Sequence, residues 1–321
     1  MEVFLSFILL LVGFFLIVKG GDFLVRSALQ ISRLSGLPTV IVGATFVSLA
    51  TTLPEIVISI YAILTQHQAL AVGNAIGGML VSLALIFALY ATILPQRVSK
   101  HQLLPKSIFL FLSIALVITF SVDGRISMVE GFILGLIYFL YLALTAKQPR
   151  APVSVSAKTI TPPEGEEVRL KAVARGFLIG QFLLLFGAFL LVQNSERLAL
   201  GLGVSETVVG FTLVALGTSM PEFVTVIKSI KHKSSDLAIG SIIGSNIINA
   251  TLLLGICAVV GSLHNSPLAI SHHTLFVAIP ILIIASLISV VPVLIKGRTY
   301  RSQGVALLFL YATYIALLFL L

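Results

Sequence analysis

Apolar segments of about 20 residues, separated by short polar connectors, recur along the whole chain. An α-helix of that length crosses the ~30 Å hydrocarbon layer of a lipid bilayer. The pattern predicts an all-α integral membrane protein with ten transmembrane helices, at residues 3–19, 39–64, 70–94, 105–122, 126–146, 173–194, 206–230, 237–261, 272–293 and 303–321. The first segment has no Lys or Arg before its apolar run and no small-residue cleavage site after it, which favours a membrane helix over a signal peptide.

The composition excludes a water-soluble globule. Of the 321 residues, 58% are hydrophobic and 10% are charged, whereas soluble domains carry about 25% charged residues. With the N-terminus outside, 18 of the 20 Lys and Arg residues fall in connectors on the cytoplasmic side, as the positive-inside rule requires. The net charge of +8 therefore reflects membrane topology rather than nucleic-acid binding. We expect a multi-pass protein of the plasma membrane with both termini outside the cytoplasm.

Cysteine and histidine do not suggest a metal centre or a catalytic group. Cys257 is the one cysteine, so a disulfide within the chain is excluded. The six histidines fall in or beside the predicted connectors, where a solvated side chain is the common case. We expect no enzymatic activity and no bound cofactor.

One long connector, residues 147–172, divides the chain into a first unit of residues 1–146 and a second of residues 173–321. It is rich in Pro, Ser and Thr, and we expect it on the cytoplasmic side. Each unit has five predicted helices. Two homologous units with an odd number of helices must cross the membrane in opposite directions, which is the inverted-repeat plan of many secondary transporters.

The two units are similar in sequence. A constant offset of 167 aligns Gly20–Ser82 with Gly187–Asn249 without a gap. Between Gly43 and Glu55, seven of thirteen positions are identical to their partners, and they include Thr, Gly, Pro and Glu residues that a shared apolar composition does not explain. Internal duplication is the simplest interpretation.

Each unit carries one glutamate well inside a predicted helix, Glu55 and its partner Glu222. An ionisable side chain inside the bilayer is costly and usually functional. Pro54 and Pro221 precede these glutamates, and a proline cannot donate the helical hydrogen bond to the carbonyl one turn earlier. We therefore expect both helices to be interrupted beside the glutamate, which frees backbone carbonyls as ligands. Hydroxyl groups in the same turns come from Thr51, Thr52, Thr218 and Ser219.

A glycine-rich segment follows in the next predicted helix of each unit, Gly73–Gly77 in the first and Gly240–Gly244 in the second. Glycines at helical spacing permit close approach of neighbouring helices. Polar candidates for the same site follow these glycines, namely Ser82 in the first unit, and Ser245 and Asn249 in the second. Two carboxylates with hydroxyl, amide and carbonyl oxygens form an all-oxygen site of net charge about −2, which suits hard cations such as Ca²⁺ and Na⁺.

These motifs resemble the two alpha repeats of the sodium/calcium exchangers, within the cation/calcium exchanger superfamily. The similar stretches are Thr51-Thr-Leu-Pro-Glu55 in the first half, and Gly217-Thr-Ser-Met-Pro-Glu222 with Gly244-Ser-Asn-Ile-Ile-Asn249 in the second. The resemblance implies ten helices in two inverted groups of five, an ion site on helices two, three, seven and eight, and alternating access by sliding of helices one and six. It also implies that Glu55 and Glu222 bind Ca²⁺ and Na⁺, assisted by Thr51, Thr52, Thr218, Ser219, Ser245 and Asn249.

The first repeat departs from the family pattern. Where the family has Gly-Ser-Asn followed by a further Asn or Asp, this chain has Gly77, Gly78 and Met79 followed by Ser82. The second repeat carries Asn249 where some members have an acid. We predict a site that binds fewer Na⁺ ions than the fullest family members, or one that couples to protons, because a buried carboxyl can bind H⁺ in place of a metal ion.

The predicted function is secondary active antiport of Ca²⁺ against Na⁺, with exchange of Ca²⁺ against H⁺ or another monovalent cation as the alternative. Three other functional classes would behave differently or need other residues. A channel would conduct without an opposing ion gradient, and an exchanger-like regulator or scaffold would show no uptake under any gradient. An intramembrane hydrolase is disfavoured because neither a Gly-x-Gly-Asp setting nor a water-activating histidine accompanies the glutamates.

Overall fold

The computed structural model describes residues 2–146, 166–201 and 214–320, and most of them are helical. In the first half the helices are α1 (Glu2–Ser35), α2 (Thr39–Leu64), α3 (Gln68–Ile93), α4 (Lys100–Phe120) and α5 (Met128–Ala146). In the second half they are α6 (Glu166–Gly201), α7 (Ala215–Thr218 and Met220–Lys231), α8 (Ser235–Leu263), α9 (Thr274–Lys296) and α10 (Arg301–Leu320).

Within the described residues, nine of these helices are long and apolar enough to cross a membrane. The exception is α7, because the predicted seventh span, residues 206–230, begins in residues 202–213, which lie outside the described part. The all-α membrane fold predicted from the apolar pattern is thereby confirmed.

Helices α1 and α6 extend furthest beyond their predicted bounds. Helix α1 continues past residue 19 to Ser35, and α6 begins at Glu166 rather than at residue 173. The predicted connector 147–172 is therefore too long at its C-terminal end, and residues 147–165 lie outside the described part. Apolar patterning marks only the part of a helix inside the bilayer, whereas the backbone hydrogen bonds continue past the membrane surface.

Helices α1 and α6 pack antiparallel through glycines. A Cβ atom added to Gly13 would lie 2.7 Å from the carbonyl oxygen of Gly187, and one added to Gly20 would lie 2.8 Å from that of Gly180. Under the offset of 167, Gly13 corresponds to Gly180 and Gly20 to Gly187. Replacing each residue by its partner in the other repeat therefore converts the Gly13–Gly187 contact into the Gly20–Gly180 contact. This equivalence is the signature of an inverted repeat about a pseudo-twofold axis.

Helices α3 and α8 form the centre of the protein. Every residue at positions 71–84 and 237–251 is buried. Each helix contains one π-helical turn, Val81–Ile86 in α3 and Asn249–Leu253 in α8, and the offset of 167 brings these turns into register except for one residue at the start. π-helical turns often occur at functional sites, and this pair of turns contains Ser82 and Asn249.

Short pairings outside the helices join the two halves. Strand β1 (Arg125–Ile126) pairs antiparallel with strand β2 (Leu268–Ala269), and an isolated β-bridge joins Arg97 to Arg298 on the other side of the helix bundle. These pairings link the α4–α5 connector to the α8–α9 connector, and the α3–α4 connector to the α9–α10 connector. The sequence did not predict them, because a two-residue strand has no periodic pattern.

Candidate ion-binding site

Glu55 of α2 and Glu222 of α7 lie together in the interior. Their exposed fractions are 0% and 2%, and the two carboxyl groups are close enough to interact electrostatically. Buried carboxylates that face each other repel unless a cation or a proton lies between them. The fold thus concentrates the negative charge of both repeats at one place.

Each glutamate contacts a hydroxyl group of the opposite repeat. Thr52 Oγ1 donates to Glu222 Oε1 at 3.3 Å, and Ser219 Oγ donates to Glu55 Oε1 at 3.4 Å. Thr52 and Ser219 are partners under the offset of 167, so the two hydrogen bonds are related by the pseudo-twofold axis. The site is consequently shared by both repeats, and neither half contains it alone.

Pro54 and Pro221 differ in their effect on the helices that contain them. The prediction that both helices break beside the glutamate is wrong for α2, which continues as a helix from Ser48 to Leu64 with Pro54 inside it. The Ala50 carbonyl that loses its helical donor accepts instead from Gln181 Nε2 of α6 at 2.9 Å. In α7 the break is present, because Ser219 has non-helical dihedrals between its two segments and Pro221 lies in the first turn of the second segment.

Helices α3 and α8 complete the cluster. Ser82 Oγ of α3 lies 3.5 Å from Ser245 Oγ of α8. A Cβ atom added to Gly78 would lie 3.3 Å from Asn249 Nδ2 and 3.6 Å from Ser219 Oγ, so Gly78 borders the same space. All nine residues proposed from the sequence are buried, namely Thr51, Thr52, Glu55, Ser82, Thr218, Ser219, Glu222, Ser245 and Asn249.

Several oxygen atoms in this region have no hydrogen-bond partner in the part of the chain that the structure describes. They are Oε2 of Glu55, Oε2 of Glu222, Oδ1 of Asn246 and Oδ1 of Asn249. A buried acceptor without a donor is destabilising, whereas such an oxygen is a suitable ligand for a hard cation. Among the described residues no group of three or more His, Cys, Asp or Glu could hold a metal, so the charge of this cluster comes from two carboxylates.

Asn74 belongs to this network, although the sequence did not single it out. Its Nδ2 lies 3.1 Å from the Glu55 carbonyl oxygen and 2.9 Å from Ser59 Oγ, and its Oδ1 accepts from Thr218 Oγ1 at 2.9 Å. The signal in the sequence is a polar residue beside Gly73 in a mostly apolar segment. A glycine packing motif explains that segment equally well, because no periodic pattern distinguishes a buried amide from its neighbours.

Comparisons with known proteins agree with the fold and the motifs. The family model described as sodium/calcium exchanger protein matches residues 5–147 and 173–320. Inner membrane protein YrbG of Escherichia coli is 33% identical over 269 residues and covers 82% of each chain. Sodium/calcium exchanger MaX1 of Methanosarcina acetivorans is 27% identical over 353 aligned positions and covers 98% of each chain.

The same likeness appears in three dimensions. A solved structure of the sodium-calcium exchanger NCX_Mj, soaked with Na⁺ and Sr²⁺, superposes on this chain with a TM-score of 0.80 at 30% identity and covers 98% of both chains. The resemblance inferred from the motifs is therefore confirmed by family, relatives and fold together. The chain is a multi-pass membrane protein that belongs to the sodium/calcium exchanger family.

Proposed function

We propose that this protein is a secondary active antiporter that exchanges Ca²⁺ for Na⁺. The observation that carries the proposal is the pair of buried carboxylates, one from each inverted repeat, each hydrogen-bonded to a hydroxyl of the other repeat and each with a second oxygen that has no partner among the described residues. The names of the relatives MaX1 and NCX_Mj, both sodium/calcium exchangers, support the same activity.

The chemistry of the oxygen cluster explains why exchange is possible. Ca²⁺ takes six to eight oxygen ligands, and Na⁺ is also a hard cation that binds carboxylate, hydroxyl and amide oxygens. Because the two ions need the same atoms, they compete, and release of one permits binding of the other. The ligands proposed for both ions are Glu55, Glu222, Thr51, Thr52, Thr218, Ser219, Ser245, Asn249 and Ser82.

The location proposed is the plasma membrane, with both termini outside the cytoplasm. The distribution of Lys and Arg among the connectors supports this orientation. Apolar side chains exposed on the outer helices support direct contact with the lipid bilayer, for example Phe132 on α5, Phe182 on α6 and Phe309 on α10. The division into two repeats joined by a cytoplasmic connector, predicted as residues 1–146 and 173–321, remains a proposal, with the second repeat now beginning at Glu166.

Uptake of ⁴⁵Ca²⁺ into proteoliposomes tests the proposed function directly. Vesicles loaded with Na⁺ and diluted into Na⁺-free buffer are expected to accumulate Ca²⁺, whereas vesicles with equal Na⁺ on both sides are not. Uptake driven by a proton gradient but not by a Na⁺ gradient would support the Ca²⁺/H⁺ alternative. The absence of uptake under either gradient, with folded protein in the membrane, would contradict antiport and favour a regulator or scaffold.

The altered first repeat predicts a reduced Na⁺ requirement. A Cβ at Gly78 fits between Asn249 and Ser219 with ordinary or slightly tight contacts, so Gly78→Ser places a hydroxyl oxygen in the site at little steric cost. Combined with Met79→Asn, it restores the two polar groups that the second repeat keeps as Ser245 and Asn246. We expect Ca²⁺ uptake by the double variant to depend more steeply on Na⁺ concentration than uptake by the wild type.

The matched control for this prediction is Gly135→Ser on α5, where an added Cβ meets nothing within 4 Å. It should leave the Na⁺ dependence unchanged. If the Gly78 and Met79 changes also leave the measured ratio of Na⁺ to Ca²⁺ unchanged, the idea of a reduced site is wrong.

A further inference from the structure

Asn74 is a buried amide that joins the two repeats at the ion site. It has no exposed surface. Its amide nitrogen faces α2, where the acceptors are the Glu55 carbonyl oxygen and Ser59 Oγ, and its oxygen faces α7, where Thr218 Oγ1 donates to it. One side chain of α3 thus contacts the backbone at one glutamate and a hydroxyl of the opposite repeat.

The direction in which the Thr218 hydroxyl donates its hydrogen determines where the lone pairs of Oγ1 point. A hydroxyl has one hydrogen to donate, and its two lone pairs remain available as acceptors or metal ligands. The acceptor at the shortest distance from Thr218 Oγ1 is Asn74 Oδ1 at 2.9 Å, with the carbonyl oxygens of Val214 and Ala215 at 3.0 and 3.2 Å. With its hydrogen directed to these acceptors, Thr218 can present oxygen lone pairs elsewhere.

The second repeat has no equivalent of this bridge. The position related to Asn74 by the offset of 167 is Ser241, which is buried and whose Oγ has no hydrogen-bond partner among the described residues. Thr51, the partner of Thr218, donates instead to the carbonyl oxygen of Ser48 in its own helix at 3.2 Å. The two halves of the site therefore differ in how firmly their hydroxyl groups are held.

We propose that Asn74 is a positioning residue of the ion site, which holds Thr218 and the α2 backbone at Glu55 in the geometry that binds Ca²⁺. This inference rests on the proposed function, because it assumes that the cluster binds the transported ion. Asn74 acts through Thr218 and Glu55, and its own amide oxygen is occupied by the threonine hydroxyl.

The test is a double-mutant cycle in which Ca²⁺ uptake is measured at varied Ca²⁺ concentration. Asn74→Ser introduces the residue found at the equivalent position 241, which is too short to bridge α2 and α7. Loss of a buried hydrogen bond costs ~1–3 kcal/mol, so we expect the half-saturating Ca²⁺ concentration to rise about 10-fold with a smaller change in the maximal rate. Thr218→Val should have a similar effect. Because both act on one contact, the double variant should resemble either single variant rather than show the product of the two effects.

The matched control is Asn194→Ser on α6. Asn194 is also buried, but its Nδ2 bonds to the Leu190 carbonyl in its own helix at 2.7 Å. It should leave the half-saturating Ca²⁺ concentration unchanged. If Asn74→Ser fails to fold, Ser59→Ala removes one of its partners singly and should raise that concentration by a smaller factor. Full multiplication of the Asn74 and Thr218 effects would overturn the proposal, whereas wild-type protein without uptake would instead refute the antiport function.

The two ends of the ion site differ in their contacts. Near the end of α7, Lys228 Nζ lies 2.7 Å from Asp22 Oδ2 of α1, with side-chain exposures of 15% and 29%. Beside this ion pair, a Cβ added to Gly21 would lie 2.6 Å from Val224 Cγ1, so the two helices are in close contact. The charge distribution assigns this end of the protein to the cytoplasmic side.

The equivalent positions at the opposite end carry no ion pair. Under the offset of 167, Asp22 corresponds to Phe189, Lys228 to Tyr61 and Val224 to Val57. These three equivalent residues line a cavity of about 670 Å³ between α2 and α6. Ile58 and Val214 also line it, each within one helical turn of the proposed ligands Glu55 and Thr218. The counterpart of the ion pair is therefore a Phe–Tyr pair beside a cavity.

We infer that the Asp22–Lys228 ion pair holds the cytoplasmic access to the site closed, whereas the described residues at the opposite end surround a cavity. The two ends of the site are related by pseudo-symmetry, so a close contact at one end and a cavity at the other is the asymmetry that alternating access requires. Breaking the ion pair should shift the protein toward the state that is open to the cytoplasm.

Cysteine accessibility tests this inference. In a Cys257→Ser background, Val224→Cys places a thiol at the α1–α7 contact, where Val224 is 6% exposed. An exposed or partly exposed ion pair contributes ~1 kcal/mol at most, so Asp22→Asn should raise the rate of labelling by an impermeant maleimide from the cytoplasmic side by about 5-fold. The exchanged pair Asp22→Lys with Lys228→Asp should restore slow labelling.

The control for the ion pair is Asp123→Asn, which removes the more exposed pair between Asp123 and Arg125 at the opposite end of the helices. It should leave the labelling rate unchanged. An unchanged rate in Asp22→Asn, with Ca²⁺ uptake intact, would overturn the inference.

Discussion

Replacing Glu222 or Glu55 with glutamine is expected to reduce Ca²⁺ uptake at least about 100-fold. Each substitution keeps the shape of the side chain and removes one of the two negative charges of the buried cluster. A Ca²⁺ ion in the variant site keeps one uncompensated positive charge, and an uncompensated charge in the interior costs ~3–5 kcal/mol. Uptake of ⁴⁵Ca²⁺ under a Na⁺ gradient measures the effect.

The matched control is Glu130→Gln on α5. The Glu130 carboxylate accepts hydrogen bonds from the Ser127 backbone nitrogen and hydroxyl, both at 2.7 Å, and caps the start of that helix. Glutamine can accept similar bonds, so this variant should transport Ca²⁺ like the wild type. If either Glu55→Gln or Glu222→Gln also transports at the wild-type rate, the paired carboxylates are not the ion site.

A single methyl group at Gly20 is expected to destabilise the protein. A Cβ at this position would lie 2.8 Å from the Gly180 carbonyl oxygen and 2.9 Å from the Leu184 backbone nitrogen. Both atoms belong to backbone and cannot move without separating α1 from α6. Overpacking of this kind costs ~1–3 kcal/mol. Thermal unfolding in detergent should show a lower midpoint for Gly20→Ala than for the wild type.

Gly135→Ala provides the opposite case. A Cβ at Gly135 meets nothing within 4 Å, and alanine is a better helix former than glycine by up to ~1 kcal/mol. This variant should be as stable as the wild type or more stable. The same Gly→Ala substitution is therefore expected to lower the unfolding midpoint at position 20 and to leave it unchanged or raise it at position 135. Equal midpoints for both variants would show that the glycine contact between α1 and α6 does not determine stability.

The contacts of Glu55 and Glu222 were predicted only in part by the spacing of the motif residues. Their spacing predicted that Glu55 and Glu222 are equivalent positions of a duplicated unit, and the pseudo-twofold pairs Thr52–Glu222 and Ser219–Glu55 follow that equivalence. What the spacing did not predict is that each hydroxyl would bond to the glutamate of the other repeat. That pairing depends on the crossing of α2 and α7, which is a property of packing.

The two prolines show the limit of a local rule. Pro54 and Pro221 lack the same donor, yet α2 remains a continuous helix while α7 is interrupted at Ser219. One cause of this difference is Gln181, which lies 131 positions from Ala50 in the sequence. Its side chain donates to the Ala50 carbonyl oxygen that Pro54 leaves without a helical donor. Local sequence specifies which hydrogen bond is lost, and the surrounding helices decide how that loss is satisfied.

By itself, the sequence determined the membrane class, the duplication and the identity of the buried acids. Those properties depend on hydrophobic length, residue spacing and the cost of placing a charge in lipid, all of which are readable along one chain. The sequence also showed that the first repeat has fewer polar groups than the second. Tertiary structure alone decided which contacts form between the repeats, including the bridge from Asn74 to Thr218 and the ion pair between Asp22 and Lys228. Such contacts join residues more than 140 positions apart, and their formation depends on the packing of whole helices rather than on any local pattern.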